Sequence, residues 1–224
     1  MPTLDLAAFR SVPLNREPFE YLIVPGFVRP EALAAILADY PRIDSRGSFP
    51  VREVKGGPAF RALVRALRGP KVRDAFAEKF RLDLKGRPTM VTVRGRCGPR
   101  DGNIHTDSAS KLITALIYMN PRWEEAGGQL RLLRSADDLE DVVVEVPPLE
   151  GTLVAFRRSN NSFHGHKPFT GSRRVIQLNW VVNWRTAFHE LLRHQVSAWV
   201  KRLVAAARRL RPWQGPVETG AERG

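Results

Sequence analysis

Cysteine is almost absent from this chain of 224 residues, which contains only Cys97. A single cysteine excludes an internal disulfide framework and any zinc site built from several cysteines, and it is compatible with a reducing cytoplasm. The chain also lacks an apolar run near the roughly 18 residues that a membrane-spanning helix needs. Its first residues show no apolar core of a signal peptide. These absences predict a soluble, cytoplasmic protein with no transmembrane segment.

Acidic residues are scarce relative to basic ones, with 23 Asp and Glu against 36 Lys and Arg and a net charge of +13. Such a surface attracts anions: nucleic acid, phosphorylated metabolites or an acidic membrane face. The basic residues are spread along the chain, however, and form no block of the kind that marks a nucleic-acid-binding arm. A GC-rich genome, which encodes arginine freely, would produce the same composition. The positive charge therefore reflects either an anionic ligand or codon usage alone.

The first 85 residues are predicted to be mostly helical. Prolines stand at the start of three stretches rich in helix-forming residues, where a missing N–H costs nothing. A strand pattern comes before them at 19–28, and the three predicted helices span 30–40, 58–68 and 70–80.

The second part of the chain is rich in β-branched residues and is punctuated by Gly, Pro, Asn and Asp. Six short strands with no helices between them predict an antiparallel sandwich or jelly roll, so the expected fold class is α+β. These strands are predicted at 89–95, 111–119, 129–133, 141–146, 151–156 and 173–184.

The chain length fits a single domain. We expect residues 1–85 to support a jelly-roll core at 86–184. Residues 185–212 have the periodicity of an amphipathic helix with a basic face, and 213–224 are expected to form a tail. That helix would pack on the core or lie on an anionic membrane surface.

Histidine is also rare, with five residues in the chain. Three of them, His105, His164 and His166, lie in the part that is predicted to be rich in strands. His105 and Asp107 are two residues apart, so in a strand they point to the same face. Taken alone, they form a partial metal site or a surface ion pair. His164 and His166 follow the strand at 151–156. Two histidines and one carboxylate form the facial triad of non-haem Fe(II) oxygenases.

Residues 89–184 resemble the double-stranded β-helix core of the 2-oxoglutarate/Fe(II)-dependent dioxygenases, and most of all their prolyl-hydroxylase-like branch. The motif of that family is H-x-D, then a histidine further along the chain, then Arg or Lys nine or ten residues later. Here His105 and Asp107 supply the first part, His164 follows, and Arg174 comes ten residues after it.

Further stretches agree with this resemblance. Ile117 to Asn120, followed by Trp123, is similar to the family's Y-L-N-x-x-W stretch. Residues 127–130 are similar to its G-G-x-L turn, and Trp180 matches an aromatic residue of the last strand.

The resemblance implies that His105, Asp107 and His164 bind Fe(II) and are the catalytic residues. The family's S-[WF]-H-G pattern favours His164 over His166 as the second histidine ligand. It also implies that 2-oxoglutarate is the co-substrate, with its distal carboxylate bound by Arg174 and Tyr118. The implied reaction consumes O₂, releases succinate and CO₂ and hydroxylates a small-molecule or peptide substrate. Asp107 favours hydroxylation, since related halogenases lack this carboxylate.

The choice between Arg173 and Arg174 depends on which face of the last strand points into the core, because neighbours in a strand point to opposite sides. Arg173 shares its face with a more polar row, Val175, Gln177 and Asn179. Arg174 shares its face with an apolar row, Ile176, Leu178 and Trp180. An apolar row suits a barrel interior, so Arg174 is predicted to face the site.

Four arginines are predicted near the mouth of the site: Arg94, Arg96, Arg157 and Arg158. They are either solvated surface residues or contacts for an anionic substrate. Two alternative functions also remain open. A cupin-like metal enzyme that does not use 2-oxoglutarate would not need the arginine and Tyr118. A basic module that binds nucleic acid or a membrane surface would lose its ligand steeply with salt and show no metal dependence.

Overall fold

The computed structural model describes residues 3–183. The predicted helix at 185–212 and the tail at 213–224 lie outside these residues. Within residues 3–183, no helix is both long and apolar enough to cross a lipid bilayer.

Between residues 3 and 85 the structure has four α-helices and one 3₁₀ turn. Proline occupies the first turn of α2, α3 and α4, as predicted from the sequence. In α3 the buried residues Phe60, Leu63, Val64 and Leu67 recur with the three-to-four-residue spacing of one helix face. The helices are α1 (Leu6–Ser11), α2 (Pro30–Ala38), α3 (Pro58–Leu67) and α4 (Pro70–Phe80), with the 3₁₀ turn at Val51–Glu53.

Within residues 3–183, nine strands form two antiparallel sheets, which confirms the jelly-roll prediction. In chain order the strands are β1 (Tyr21–Val24), β2 (Phe49–Pro50), β3 (Thr89–Cys97), β4 (Lys111–Tyr118), β5 (Leu130–Leu133), β6 (Val142–Val146), β7 (Leu153–Arg157), β8 (His164–Gly165) and β9 (Gly171–Val181). The larger sheet has the order β1-β7-β4-β9-β3-β2, and the smaller sheet has the order β6-β5-β8. The residues before position 86 thus contribute two strands, β1 and β2, to the larger sheet as well as the helices.

One face of the larger sheet packs against the helices. Phe76 of α4 lies between Phe9 and Trp180, with ring centroids 4.5 Å and 4.8 Å away. The strand residues on this face are apolar and alternate with the opposite face. They include Val91, Val93, Ile113, Ala115, Ile117, Leu153, Ala155, Ile176, Leu178 and Trp180.

The opposite face of the larger sheet looks towards the smaller sheet. At one end the two sheets pack through Tyr118, Phe156, Leu130, Leu132 and Val175. At the other end they leave a cavity of about 420 Å³, whose walls are largely polar. The alternation of the strands therefore sends apolar side chains to the helices and polar ones to this cavity.

Candidate metal centre and its cavity

Three predicted metal ligands come together at one end of the cavity. His105 and Asp107 lie on the loop between β3 and β4, and His164 begins β8. Their ligand atoms all lie within 4.8 Å of one another. Reciprocal backbone hydrogen bonds hold the two histidines side by side: His105 N donates to His164 O (3.1 Å), and His164 N donates to His105 O (3.0 Å).

The histidine rings are oriented by backbone carbonyls. Nδ1 of His105 lies 2.8 Å from the carbonyl oxygen of Asn103, and Nδ1 of His164 lies 3.0 Å from that of Ser162. A carbonyl oxygen only accepts hydrogen bonds, so each Nδ1 carries the proton. Each Nε2 is left with a lone pair, which is the form that a metal ion binds.

Asp107 is held by a chain of polar side chains. Lys111 Nζ donates to Asp107 Oδ1 (2.6 Å), and the Thr114 hydroxyl donates to Oδ2. Asn179 Nδ2 in turn donates to Thr114 Oγ1 at 2.7 Å, and Gln177 Nε2 donates to Asn179 Oδ1 at 3.1 Å. This chain fixes the carboxylate in one orientation next to the two histidines.

The surroundings keep Asp107 and His164 in their metal-binding protonation states. Burial by itself would raise the pKa of Asp107, but Lys111 and His164 outweigh it and lower that pKa to about 2. Burial lowers the pKa of His164 to about 4, although Asp107 opposes the shift. At neutral pH, Asp107 is therefore a carboxylate and His164 a neutral imidazole.

His166 also lines the cavity but does not belong to the three-ligand cluster. Its Nδ1 lies 2.8 Å from the carbonyl oxygen of Lys167. Burial, with Arg173 and Arg94 nearby, lowers the pKa of His166 to about 4. His166 is thus a buried, neutral residue in the wall of the cavity.

We expect the stability of the metal-free protein to fall as the pH falls from 6.5 towards 4. The pKa values of His164 and His166 are about 4 in the folded state against 6.5 for an unperturbed histidine. In this window the unfolded chain binds protons that the folded chain does not, which costs about 1 kcal/mol per pH unit for each histidine. Denaturant unfolding in the presence of a chelator at pH 7, 6 and 5 measures the slope. His166→Gln should reduce that slope; an unchanged slope in this variant would contradict the assignment.

Arg173 lies in the wall of the same cavity, and Tyr118 is buried beside it. The Arg173 side chain is buried; its Nε donates to the carbonyl of Gly128 at 2.7 Å, and its Nη2 is 3.4 Å from the Tyr118 hydroxyl. Its guanidinium carbon lies 5.3 Å from the centre of the Tyr118 ring. Among residues 3–183, no carboxylate forms an ion pair with Arg173. A buried cation without a counter-ion is costly, so this position is suited to an anionic ligand.

The prediction that Arg174 faces the site is wrong. Arg174 points to the opposite side of β9, where its guanidinium carbon lies 5.7 Å from the centre of the Tyr40 ring. The apolar row that it shares, Ile176, Leu178 and Trp180, packs against the helices. Arg173, Val175, Gln177 and Asn179 line the cavity instead. Arg173 lies nine residues after His164, so it still fits the spacing of the motif.

The four arginines predicted at the mouth have different surroundings. Arg94 lines the cavity and pairs with Asp101 at 3.3 Å. Arg158 Nε donates to the backbone carbonyl of Asp107 at 3.1 Å, and Arg157 pairs with Glu20 at 3.4 Å. Arg96, Arg157 and Arg158 are not among the residues that line the cavity. The structure therefore brings one of the four into the site.

Several cavity residues had no role in the sequence prediction. Lys111, Thr114, Gln177 and Asn179 support Asp107, and Arg100 lines the mouth. The sequence signal that could have identified them is the alternation of polar and apolar residues in β4 and β9. Such alternation, however, is equally typical of a solvent-exposed sheet face.

The residues of the cluster fit a divalent iron ion. Two neutral imidazole nitrogens and one carboxylate converge from one side, and the cavity leaves space on the other side for further ligands. This donor set and its open face are those of a non-haem Fe(II) site.

Comparison with known proteins agrees with the geometry. Residues 95–182 match the family model of the 2OG-Fe(II) oxygenase superfamily, where 2OG is 2-oxoglutarate. This segment contains the three clustered ligands, Tyr118 and Arg173. No curated protein sequence matches the chain significantly.

Solved structures of prolyl hydroxylases share the fold. A prolyl-4-hydroxylase of Pseudomonas putida is 18% identical, with a TM-score of 0.56, and the match covers 81% of this chain and 97% of that one. A viral collagen prolyl hydroxylase of Paramecium bursaria Chlorella virus-1, solved with 2-oxoglutarate, is 15% identical, with a TM-score of 0.52 and coverage of 73% and 96%. A prolyl 4-hydroxylase of Phytophthora capsici is 16% identical, with a TM-score of 0.53 and coverage of 81% and 66%.

Proposed function

We propose that the chain is a member of the 2OG-Fe(II) oxygenase superfamily, whose family model matches residues 95–182, and that it hydroxylates a substrate at the expense of 2-oxoglutarate and O₂. The observation that carries this proposal is the buried Arg173, which has no carboxylate partner within residues 3–183 and lies in the wall of the same cavity as the cluster of His105, Asp107 and His164. One cavity thus offers a site for iron and a site for the distal carboxylate of 2-oxoglutarate.

In this proposal Fe(II) is bound by Nε2 of His105 and His164 and by the carboxylate of Asp107. Bound iron supplies the activation of O₂, which no side chain of the cavity can perform. The carbonyls of Asn103 and Ser162 keep both rings in the required tautomer. These supports hold the ligand set before the metal arrives, which favours tight binding.

Arg173 and Tyr118 are proposed to bind the distal carboxylate of 2-oxoglutarate. A guanidinium offers paired donors that match a carboxylate. Burial raises the pKa of Tyr118, although Arg173 opposes the shift, so its phenol stays protonated and can donate as well. Leu116, Leu130 and Val175 add apolar wall between the polar residues, and their low polarity strengthens the ion pair.

The overall reaction balances with one molecule each of 2-oxoglutarate, O₂ and substrate. One oxygen atom enters the carboxylate of succinate as CO₂ leaves, and the other becomes the new hydroxyl group of the substrate. The side chains described above bind and orient the reactants. The three solved structures named above are prolyl hydroxylases, so a prolyl peptide is the first substrate class to assay.

Succinate formation tests the proposal. The purified protein with Fe(II) and 2-oxoglutarate is expected to release succinate in an O₂-dependent manner, slowly alone and faster with a suitable substrate. An equimolar hydroxylated product, measured by mass spectrometry, would demonstrate coupling. A protein that binds metal but neither binds nor consumes 2-oxoglutarate would instead support the cupin-like alternative. Salt-sensitive nucleic-acid or vesicle binding without metal dependence would support the basic binding module.

A further inference from the structure

The charges that line the cavity are only partly compensated. Arg94 is paired with Asp101 (3.3 Å), and Asp101 also accepts a hydrogen bond from the backbone N–H of Gly98 (2.8 Å). This ion pair is thus held in place by the turn that leads into the cavity. It contributes no net charge to the site.

Arg100 belongs to the same turn but has no side-chain partner among residues 3–183. The turn is closed by a hydrogen bond from Asp101 N to the carbonyl of Gly98 at 2.9 Å, which fixes the backbone at Arg100. The Arg100 residue is exposed and lines the mouth of the cavity. Within residues 3–183 its guanidinium makes no hydrogen bond or ion pair.

The proposed cofactors do not neutralise Arg100. Iron carries two positive charges and Arg173 one, while Asp107 carries one negative charge and 2-oxoglutarate two, so these four cancel. Lys111, which donates to Asp107 at 2.6 Å, and Arg100 at the mouth then remain as surplus positive charges.

We propose that the substrate carries an anionic group, a carboxylate or a phosphate, which Arg100 binds at the mouth of the cavity. This inference rests on the proposed function, because the surplus charge is counted with iron and 2-oxoglutarate bound. A guanidinium is suited to bidentate contact with either group. A positively charged cleft also raises the local concentration of anionic ligands. Lys111 adds to this field from deeper in the cavity.

Three of the arginines that the sequence placed near the mouth of the site are not suited to bind the anion. Arg157 is paired with Glu20 at 3.4 Å, and Arg158 donates to Asn160 Oδ1 at 2.9 Å as well as to the Asp107 carbonyl. Arg96 is exposed but does not line the cavity. Arg96 therefore provides a matched control: its reversal changes the net charge of the chain by the same amount but leaves the cavity unchanged.

Inorganic phosphate is the first probe, with the protein loaded with Mn(II) in place of iron and with saturating 2-oxoglutarate. Paramagnetic enhancement of ³¹P relaxation by Mn(II) reports phosphate that is held inside the cavity. Wild type and Arg96→Glu should show the same enhancement, and Arg100→Glu should weaken phosphate binding by about tenfold or more. Absence of binding in wild type, or equal loss in both variants, would overturn the proposal.

Substrate pairs then distinguish the two anions. The readout is succinate formation stimulated by the substrate. One set of pairs compares amino acids and short peptides as the free acid with the same compounds as the primary amide. The other set compares phosphate monoesters with the corresponding alcohols. We expect the anionic member of a pair to be preferred, and that preference to be lost in Arg100→Glu. Equal stimulation by an acid and its amide would contradict the inference while leaving the proposed function intact. Failure of 2-oxoglutarate to shift the melting temperature of the Mn(II)-loaded protein would instead contradict the proposed function.

Discussion

His164→Ala is expected to abolish the stabilisation of the protein by Mn(II) and 2-oxoglutarate, and with Fe(II) to abolish succinate formation. In the wild type, ligand at a 100-fold excess over its dissociation constant adds about 2.7 kcal/mol to the free energy of unfolding. For a chain of this size that amounts to roughly 5–10 °C in melting temperature. Without His164 only two ligands remain, and we expect the dissociation constant for the metal to rise by more than about 100-fold.

His166→Ala is the matched control for this experiment. His166 is a buried histidine of the same cavity, two residues away, but it lies outside the three-ligand cluster. This variant should keep most of its metal response, and both variants should keep a cooperative unfolding transition without metal. A full response in His164→Ala together with a lost response in His166→Ala would show that the wrong histidine has been assigned. His105→Ala and Asp107→Ala are expected to behave like His164→Ala.

Arg173→Ala is expected to weaken 2-oxoglutarate binding by about 30-fold to several thousand-fold. The guanidinium is buried beside the Tyr118 hydroxyl and lacks a carboxylate partner within residues 3–183. Loss of one member of a buried charge pair typically costs about 2–5 kcal/mol, since the remaining charge is left without a partner. Calorimetric titration of the Mn(II)-loaded protein with 2-oxoglutarate measures the effect. Metal binding without 2-oxoglutarate should change little.

Arg174→Ala is the control, and it should change the 2-oxoglutarate constant by no more than about twofold. Its stacking on Tyr40 is worth about 1 kcal/mol of stability at most at a half-exposed position. Arg173→Lys should restore part of the affinity, because a lysine supplies the charge without the forked geometry. If Arg174→Ala lost 2-oxoglutarate and Arg173→Ala kept it, the assignment of the two faces of β9 would be reversed.

The sequence alone determined the fold class and the three clustered ligands. Prolines predicted where α2, α3 and α4 begin, because proline is tolerated in the first turn of a helix and disfavoured later. The pattern of short strands separated by turn residues predicted the jelly roll. The set of His105, Asp107 and His164 was implied by the resemblance of residues 89–184 to the dioxygenase core, and the structure brings these three residues together.

The tertiary structure alone decided between Arg173 and Arg174. Alternation along β9 separates two faces, but it does not say which layer covers each of them. Here both faces are covered, one by the helices and one by the smaller sheet. The apolar row therefore fits the helical layer, and the polar row faces the cavity. The same holds for Arg100 and Arg157: whether a charged side chain is free or paired depends on neighbours distant in the chain, such as Glu20 beside Arg157.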